Sequence, residues 1–226
     1  MPVTIAEELV LLAHRESDGR PLIGSTELDA GIAGTLLAEL ALADRIDLGD
    51  KTITARRPAL PGDSDADLEL DPELDTVLAQ IAAHSRPRKP EWWVRKLHSA
   101  ERRKRLLRRL TVRGALREER VKVLGLFPVT RYPERDPGPE AAVRDRVWSV
   151  LTGADPDERT AVLIGVLRAC RLDRKVFPGA DRKRVKEIAE GDWASTAVAR
   201  TIASINAAVI AGAVAASTAA TVAGAS

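Results

Sequence analysis

The sequence lacks most of the residues on which catalytic and metal chemistry depend. Its 226 residues include a single cysteine, Cys170, so neither a disulfide nor a thiolate metal cluster can form within one chain, which fits a reducing cytoplasm. The three histidines, His14, His84 and His98, lack metal-ligand spacing, and there is no glycine-rich phosphate loop, G-x-S-x-G elbow or HExxH motif. We therefore expect no catalytic residue, no metal, no cofactor and no enzymatic activity.

Aromatic residues make up only 3% of the chain, whereas hydrophobic residues of all kinds make up 45%. A core of Leu, Val, Ile and Ala favours helices, and the length suffices for one domain over residues 1–226. The N-terminus has no basic start and its first apolar run contains Glu7 and Glu8, so no signal peptide is indicated. Residues 201–226 are uncharged but rich in Ala, Ser, Thr and Gly, which argues against a transmembrane helix and predicts a low-complexity tail over residues 215–226.

The strongest helical pattern lies between Thr26 and Ile46. Apolar residues repeat there at i, i+4 spacing and predict a buried central helix; they are Leu28, Ile32, Leu36 and Leu40. Ser25 or Thr26 is the expected N-cap. Gly31 and Gly34 lower the helix propensity of this segment, so we expect another element to approach the helix closely at these positions.

Shorter patterns predict further helices and two hairpins around this helix. The helices are expected at residues 4–14, 72–83, 140–151, 155–170 and 181–190. A further helix opens at Trp92-Trp93, and residues 102–110 also have helical spacing. One hairpin is expected to turn at Gly49-Asp50, and the other joins strands near residues 121–124 and 129–132. The fold class is therefore mainly α: a compact helical domain around a buried central helix, with two small β-hairpins. The tip of the second hairpin is apolar, with Leu124, Leu126 and Phe127, and it either protrudes or folds back on the core.

Positive charge is concentrated in one segment of a chain whose net charge is only +2. Between Arg86 and Arg109 there are 11 Lys and Arg against 2 Glu, which suggests an anionic partner. Trp92 and Trp93 lie within this segment. Adjacent helical residues point about 100° apart, so one tryptophan is expected at a partly exposed, interfacial position, unless both pack between helices.

Arg103 falls near the middle of the apolar arc of its helix. The rest of that arc consists of Leu106, Leu107 and Leu110. Three other arginines fall to one side, where water is expected to reach them: Arg102, Arg105 and Arg109. Because an unpaired buried charge is costly, Arg103 must pair with an internal carboxylate, for which Glu39 is the candidate, extend to the edge of the apolar face, or hold an anion.

The chain resembles the Golgi phosphoprotein 3 family in four stretches, EELVLLAHRESDGRPLI, GIAGTLLAELALADRIDL, LTVRGAL and DPDERTAVLIGVLRACRLDRKVF. The resemblance implies a hairpin that mediates self-association and touches the bilayer. It also implies a phosphatidylinositol 4-phosphate head group held by a tryptophan and three arginines. The tryptophan position is occupied here by Gly24, its arginine partner by Ala33, and the remaining arginine pair by Ala100 and Arg103.

Two hypotheses from different classes follow. The first is a cytoplasmic, non-enzymatic adaptor, peripheral to the inner face of the membrane, that binds anionic phospholipid or phosphoinositide head groups. Its head-group residues are Arg103 and, for a less selective phosphate contact, Arg102, Lys104 and Arg105. Its other partners are a second copy of the chain, through the hairpin, and a protein client that the sequence does not identify. The second hypothesis is a winged-helix-like nucleic-acid-binding protein, against which the low net charge and the apolar central helix count.

Overall fold

The structure is a computed structural model that describes residues 3–48, 51–56, 70–123, 126–191 and 203–212. The described residues form ten helices and two antiparallel hairpins in a compact arrangement, which confirms the predicted fold class. The helices are α1 (Ile5–Leu12), α2 (Ser25–Leu42), α3 (Pro72–Ala82), α4 (Pro90–Leu97), α5 (Ala100–Val112), α6 (Gly138–Leu151), α7 (Glu158–Ala169), α8 (Asp173–Val176), α9 (Arg182–Glu190) and α10 (residues 203–212). The strands are β1 (Ile46–Asp47), β2 (Thr54–Ala55), β3 (Glu119–Val123) and β4 (Phe127–Arg131).

Helix α2 is the centre of the fold, as its apolar periodicity predicts. It packs against α1, α3, α4, α5 and α7, and nearly all its residues between Leu28 and Leu40 are buried. A Cβ placed on Gly31 would lie 2.8 Å from Cys170 Sγ, and one on Gly34 would overlap the side chain of Val209 in α10. The predicted close approach at both glycines is therefore confirmed.

The ends of α2 differ from those predicted. Ser25 is already the first helical residue, so the N-cap is Gly24. Gly24 has extended backbone angles and no side chain that could accept a backbone N–H. The helix ends at Leu42, and Asp44, with φ of 54°, turns the chain away. Ile46 therefore belongs to β1, where it pairs with Ala55.

Polar side chains cap the starts of the helices that frame the basic segment. Thr4 and Glu7 form a capping box at α1, and Asp71 accepts a backbone N–H at α3. Ser99 accepts the Arg102 N–H and so fixes where α5 begins. Because this cap sets the helical phase, it also decides which neighbour each arginine of α5 meets.

The β3–β4 hairpin has two distinct faces. Val121 lies opposite Val129, and Lys122 lies opposite Pro128. Side chains alternate along a strand, so Val121, Phe127 and Val129 share one face, whereas Arg120 and Lys122 lie on the other. At the base of the hairpin, Gly19 in the loop after α1 approaches the Tyr132 backbone so closely that no Cβ would fit.

Three predictions fall outside the described residues. They are the Gly49-Asp50 turn, the position of Leu124 and the low-complexity tail over residues 215–226. The extent of one domain over residues 1–226 stays a prediction. Within the described ranges, no helix is both long enough and apolar enough to cross a membrane.

Candidate functional site

The arginines of α5 form ion pairs with several neighbouring elements. Leu106, Leu107 and Leu110 are buried and hold the helix against the core. Arg102, Arg105 and Arg109 turn toward carboxylates at the start of α3, whereas Arg103 turns toward the first turns of α2. Four arginines of α5 are therefore paired with carboxylates within the protein, which the charge count of the segment does not reveal.

Arg102 is only 5% exposed, so the prediction that water reaches it is wrong. Its Nε lies 3.1 Å from Glu73 Oε2, and its Nη1 donates to the Leu97 carbonyl. Arg105 binds the same carboxylate with its Nε and Nη2. Burial would raise the pKa of Glu73, but the hydrogen bonds and charges of Arg105 and Arg102 outweigh it and lower the pKa below its usual range. Glu73 is thus the anion that holds this pair of guanidiniums.

Arg109 ties α5 to two further helices. It pairs with Asp71 of α3, and its Nε lies 3.2 Å from Glu7 of α1. Arg113 approaches the same carboxylate of Glu7 at 3.1 Å. Burial would raise the pKa of Asp71, but its hydrogen bond from Arg109 helps to lower it overall. These contacts join three helices and leave little of Arg109 free for an external anion.

Arg103 pairs with Asp29, not with Glu39, so the predicted internal partner is wrong. Its Nη1 also donates to the Ser25 carbonyl at 3.2 Å. Glu39 lies ten residues beyond Asp29, about 15 Å further along α2, and accepts instead from Arg159 at 2.8 Å. As a head-group ligand Arg103 stays a prediction, and an anion bound there has to compete with the Asp29 carboxylate.

The three other positions that the resemblance assigns to a head group carry no polar side chain. Gly24 is the exposed N-cap of α2, Ala100 is the exposed first residue of α5, and Ala33 is buried in the core. Arg103 is therefore the one ligand of that set, and its charge is matched by Asp29. This geometry does not reproduce a site built from a tryptophan and three arginines.

A different stripe of α5 faces outward. Lys104, Arg108 and Val112 repeat at i, i+4 spacing and so share one face of the helix. Lys104 pairs with Glu101 at 2.8 Å in an exposed contact that contributes little in water, and Arg108 has no ion pair within the described residues. Burial raises the pKa of the Tyr132 phenol, and the charges of Arg108 and Lys104 oppose that rise. Lys104 and Arg108 therefore lie within electrostatic range of the base of the hairpin.

Exposed apolar side chains occur on the hairpin and at the C-terminal end of α5. The six large hydrophobic residues that are exposed in the described chain include Val112 (82%) at the end of α5, and Leu126 (78%), Phe127 (62%) and Val129 (41%) on the hairpin. The exposure of Leu126 and Phe127 excludes the alternative in which they fold back on the core. We call these four residues, with Lys104 and Arg108, the hairpin surface. An exposed apolar group beside cations is typical of an interaction site.

Sequence reasoning did not identify two members of the apolar set. Val112 follows Lys104 and Arg108 at helical spacing, and Val129 alternates with Phe127 along β4, so both signals are present in the sequence. What the sequence does not show is that the charges of Lys104 and Arg108 act on Tyr132 at the base of the hairpin.

The two tryptophans differ in exposure, as their 100° separation predicts. Trp93 is buried and Trp92 is partly exposed, with the Arg88 guanidinium 5.3 Å from its ring centroid. Their rings meet edge to face at 4.9 Å. The role of Trp92 and Trp93 at a membrane interface stays a prediction.

The described residues include no group of three or more His, Cys, Asp or Glu side chains that can hold a metal ion. Cys170 is buried against α2, as predicted, and burial raises the pKa of its thiol to about 12. A thiol held in this form is a poor nucleophile.

The chain matches the model of a known protein family. The model of the family described as Golgi phosphoprotein 3 (GPP34) matches residues 5–205, nearly the whole chain. Among curated proteins, no sequence matches.

Proposed function

The chain belongs to the Golgi phosphoprotein 3 family, and on that premise we propose that it is a non-enzymatic protein that binds peripherally to anionic membranes. The family is not known for enzymatic activity, and membership of this family is consistent with a role as a phosphoinositide-binding adaptor. In this proposal the protein sits at the cytoplasmic face of a membrane, contacts phospholipid head groups and presents the rest of its surface to a protein client.

The hairpin surface is the observation that carries the proposal. Fully burying a Leu or Phe side chain is worth about 1.5–3 kcal/mol. Leu126 and Phe127 are 78% and 62% exposed, so each retains about 1–2 kcal/mol of that free energy for insertion into a bilayer. Lys104 and Arg108 add about 1 kcal/mol each near an anionic surface. Apolar insertion and charge attraction together give a peripheral contact that neither gives alone.

The two faces of the hairpin suit an interfacial position. Phe127 and Val129 are on the apolar face, while Arg120 and Lys122 are exposed on the other and have no ion pair within the described residues. A hairpin lying at the level of the head groups can therefore bury one face and direct the other at phosphates.

Lipid selectivity is expected to be low. Arg102 and Arg105 are held by Glu73, and Arg103 is held by Asp29, so these cations reach a head group only by competing with a carboxylate. We therefore propose that charge density governs binding, with phosphatidylinositol 4-phosphate bound no better than other lipids at equal surface charge.

The same hairpin is the proposed contact for self-association. A second copy that covers Leu126 and Phe127 would remove them from water as a bilayer does. Sedimentation velocity without lipid measures this association, and an Asp substitution at either residue is expected to abolish it. A dimer that persists in both variants would place the self-association contact elsewhere.

The test is co-sedimentation with liposomes of neutral lipid, of anionic lipid, and of neutral lipid doped with phosphatidylinositol 4-phosphate to equal charge. Wild-type protein is expected to sediment with both charged preparations, less so at high salt. Phe127→Asp is expected to lower the partition coefficient roughly 30- to 150-fold, because it removes the apolar contribution and adds repulsion. Ile210→Asp changes a half-exposed apolar residue outside the hairpin surface and is the matched control.

Three results would overturn parts of this proposal. Wild-type protein that sediments with no liposome excludes membrane binding. Equal losses in Phe127→Asp and Ile210→Asp exclude the hairpin surface as the contact. Binding to phosphatidylinositol 4-phosphate alone, lost in Arg103→Ala, excludes charge-driven binding in favour of a selective site. Salt-sensitive binding to duplex DNA that Phe127→Asp leaves intact would favour the winged-helix hypothesis instead.

A further inference from the structure

A cleft of about 620 Å³ lies between α3, α4 and α5 and shares no residue with the hairpin surface. Its walls combine aromatic and cationic side chains: His84, Trp92, Trp93, Lys96, Arg102 and Arg105. This combination is unusual for a simple packing defect, whose lining is apolar.

The cleft carries a net positive charge. Lys96 is exposed and has no ion pair within the described part of the chain, and it faces the same space as Arg102 and Arg105. Glu73 binds the two arginines and the charge of Glu101 also acts on Arg105, so two negative charges meet three positive ones. Arg102 uses its N–H groups on Glu73 and the Leu97 carbonyl, and Arg105 uses its N–H groups on Glu73. Each guanidinium therefore keeps N–H donors that these contacts do not use. The remaining donors are suited to a further anion.

Two buried polar atoms on the cleft-lining residues have no hydrogen-bond partner among the described residues. They are Nε1 of Trp93, whose side chain is 2% exposed, and Nε2 of His98. Buried polar atoms are rarely left unpaired, because the loss of a hydrogen bond to water costs about 1–3 kcal/mol. An indole N–H is a donor only, so its missing partner is an acceptor such as an anionic oxygen.

The aromatic wall is ordered by its own contacts. The His84 and Trp92 rings are 4.8 Å apart and tilted by 31°. Arg88 Nε donates to His84 Nε2 at 3.2 Å, which assigns the ring proton of a neutral His84 to Nδ1. Trp92 lines the cleft and is partly exposed, so the part of its ring that His84 and Arg88 leave uncovered can contact an apolar group.

We propose that this cleft binds a small phosphate monoester. The phosphate contacts Lys96 and Arg105, because a lysine ammonium and a guanidinium fork together match its charge and its oxygens. The organic part of the ligand packs on Trp92. The positive charge of the cleft selects against cations, and the cleft shares no residue with the hairpin surface. The same chemistry recognises a water-soluble phosphate ester or the head group of a phosphatidic acid.

The proposal is tested by isothermal titration calorimetry with inorganic phosphate, phenyl phosphate and dihexanoyl phosphatidic acid. Phenyl phosphate is expected to bind saturably and more tightly than inorganic phosphate, because it alone of the two can stack on Trp92. Lys96→Gln is expected to weaken binding about tenfold or more, since it removes one charge-assisted contact. Lys89→Gln changes an exposed lysine at the N-cap of the same helix, outside the cleft, and is expected to leave affinity unchanged.

The outcomes show whether the cleft binds a phosphate ester and whether that ester is a lipid or a water-soluble compound. Phosphatidic acid binding that depends on Lys96 supports a lipid source, and Lys96-dependent binding of phenyl phosphate alone supports a water-soluble one. Saturable binding that persists in Phe127→Asp shows that the cleft is independent of the hairpin surface. The absence of saturable binding to all three probes would overturn the proposal, as would equal weakening by Lys96→Gln and Lys89→Gln.

Discussion

Removal of the Glu73 carboxylate is expected to destabilise the fold strongly. Glu73 is 7% exposed and Arg102 is 5% exposed, so Glu73→Ala leaves the Arg102 charge buried with the Leu97 carbonyl as its remaining described acceptor. Loss of one partner of a buried pair costs about 3–5 kcal/mol. Arg105 also binds Glu73, but its side chain is half exposed and solvent screens the pair, so Arg105→Ala is expected to cost less than about 1 kcal/mol.

The assay is urea unfolding followed by far-ultraviolet circular dichroism near neutral pH. Glu73→Ala and Arg102→Ala are each expected to lower the free energy of unfolding by about 3–5 kcal/mol, a large share of the stability of a typical domain. The double variant Glu73→Met with Arg102→Met is expected to lose much less than the sum, because no buried charge is left unpaired and the half-exposed Arg105 is solvated. Additive losses, or a cost below about 1 kcal/mol for Arg102→Ala, would refute the internal pairing.

The pairing of Glu73 with Arg102 is also expected to affect how stability depends on pH. The pKa of Glu73 is lower in the folded protein than its usual value, so its contribution to stability is complete above that usual value. The contribution disappears as the pH falls through the lowered pKa, because the folded and unfolded states are then both protonated at this residue. The difference between wild type and Glu73→Ala is therefore expected to shrink at low pH, and a constant difference would contradict this assignment.

Three further outcomes follow from packing and burial. Gly34→Ala is expected to destabilise the protein by about 1–3 kcal/mol in urea unfolding, since the added methyl overlaps Val209, and a stabilised variant would contradict this close approach. Burial, offset in part by Arg144, raises the pKa of Glu140 from 4.5 to about 7, so stability falls as the pH rises between these values. Glu140→Gln is therefore expected to gain up to about 3 kcal/mol near pH 8 and much less near pH 5; an equal gain at both would refute the shift. Cys170 is expected to resist thiol reagents until the protein is unfolded, and rapid labelling of the folded protein would contradict its burial.

The helical part of the fold was predictable because its signals are local. Each signal lies within a few residues of sequence. Examples are the i, i+4 apolar spacing of α2 and the Asp157 carboxylate that caps the start of α7. The start of α2 was predicted less well, since Ser25 and Thr26 are both good caps and the chain uses Gly24. Cap choice depends on where the preceding loop can place an extended residue, which is a tertiary property.

The partners of the arginines were not predictable in the same way. Helical geometry correctly places Arg102, Arg105 and Arg109 on one side of α5, but whether that side meets water or α3 depends on packing across about 30 residues of sequence. Arg103 pairs with Asp29, not Glu39, because α5 crosses α2 near its first turns. A count of charged residues cannot predict these ion pairs, since it treats every cation as unpaired.

The exposed tip was predicted as one of two alternatives, and tertiary structure decides between them. Leu126 and Phe127 lie at the end of a hairpin whose base is anchored against the loop at Gly19. That anchoring directs the tip away from the core. Sequence gives the apolar composition of the tip, but its direction depends on contacts more than 100 residues apart.

The most direct test of membrane binding is a fluorescent probe on the hairpin tip. With Cys170 buried, Leu126→Cys provides a single accessible thiol for an environment-sensitive dye, and Ser149→Cys on α6 provides a matched exposed control. Anionic liposomes are expected to shift the emission of the dye at residue 126 to the blue and to allow quenching by spin-labelled lipid, while the dye at residue 149 stays in water. Unchanged emission at residue 126 while the protein sediments with the liposomes would contradict insertion of the hairpin tip.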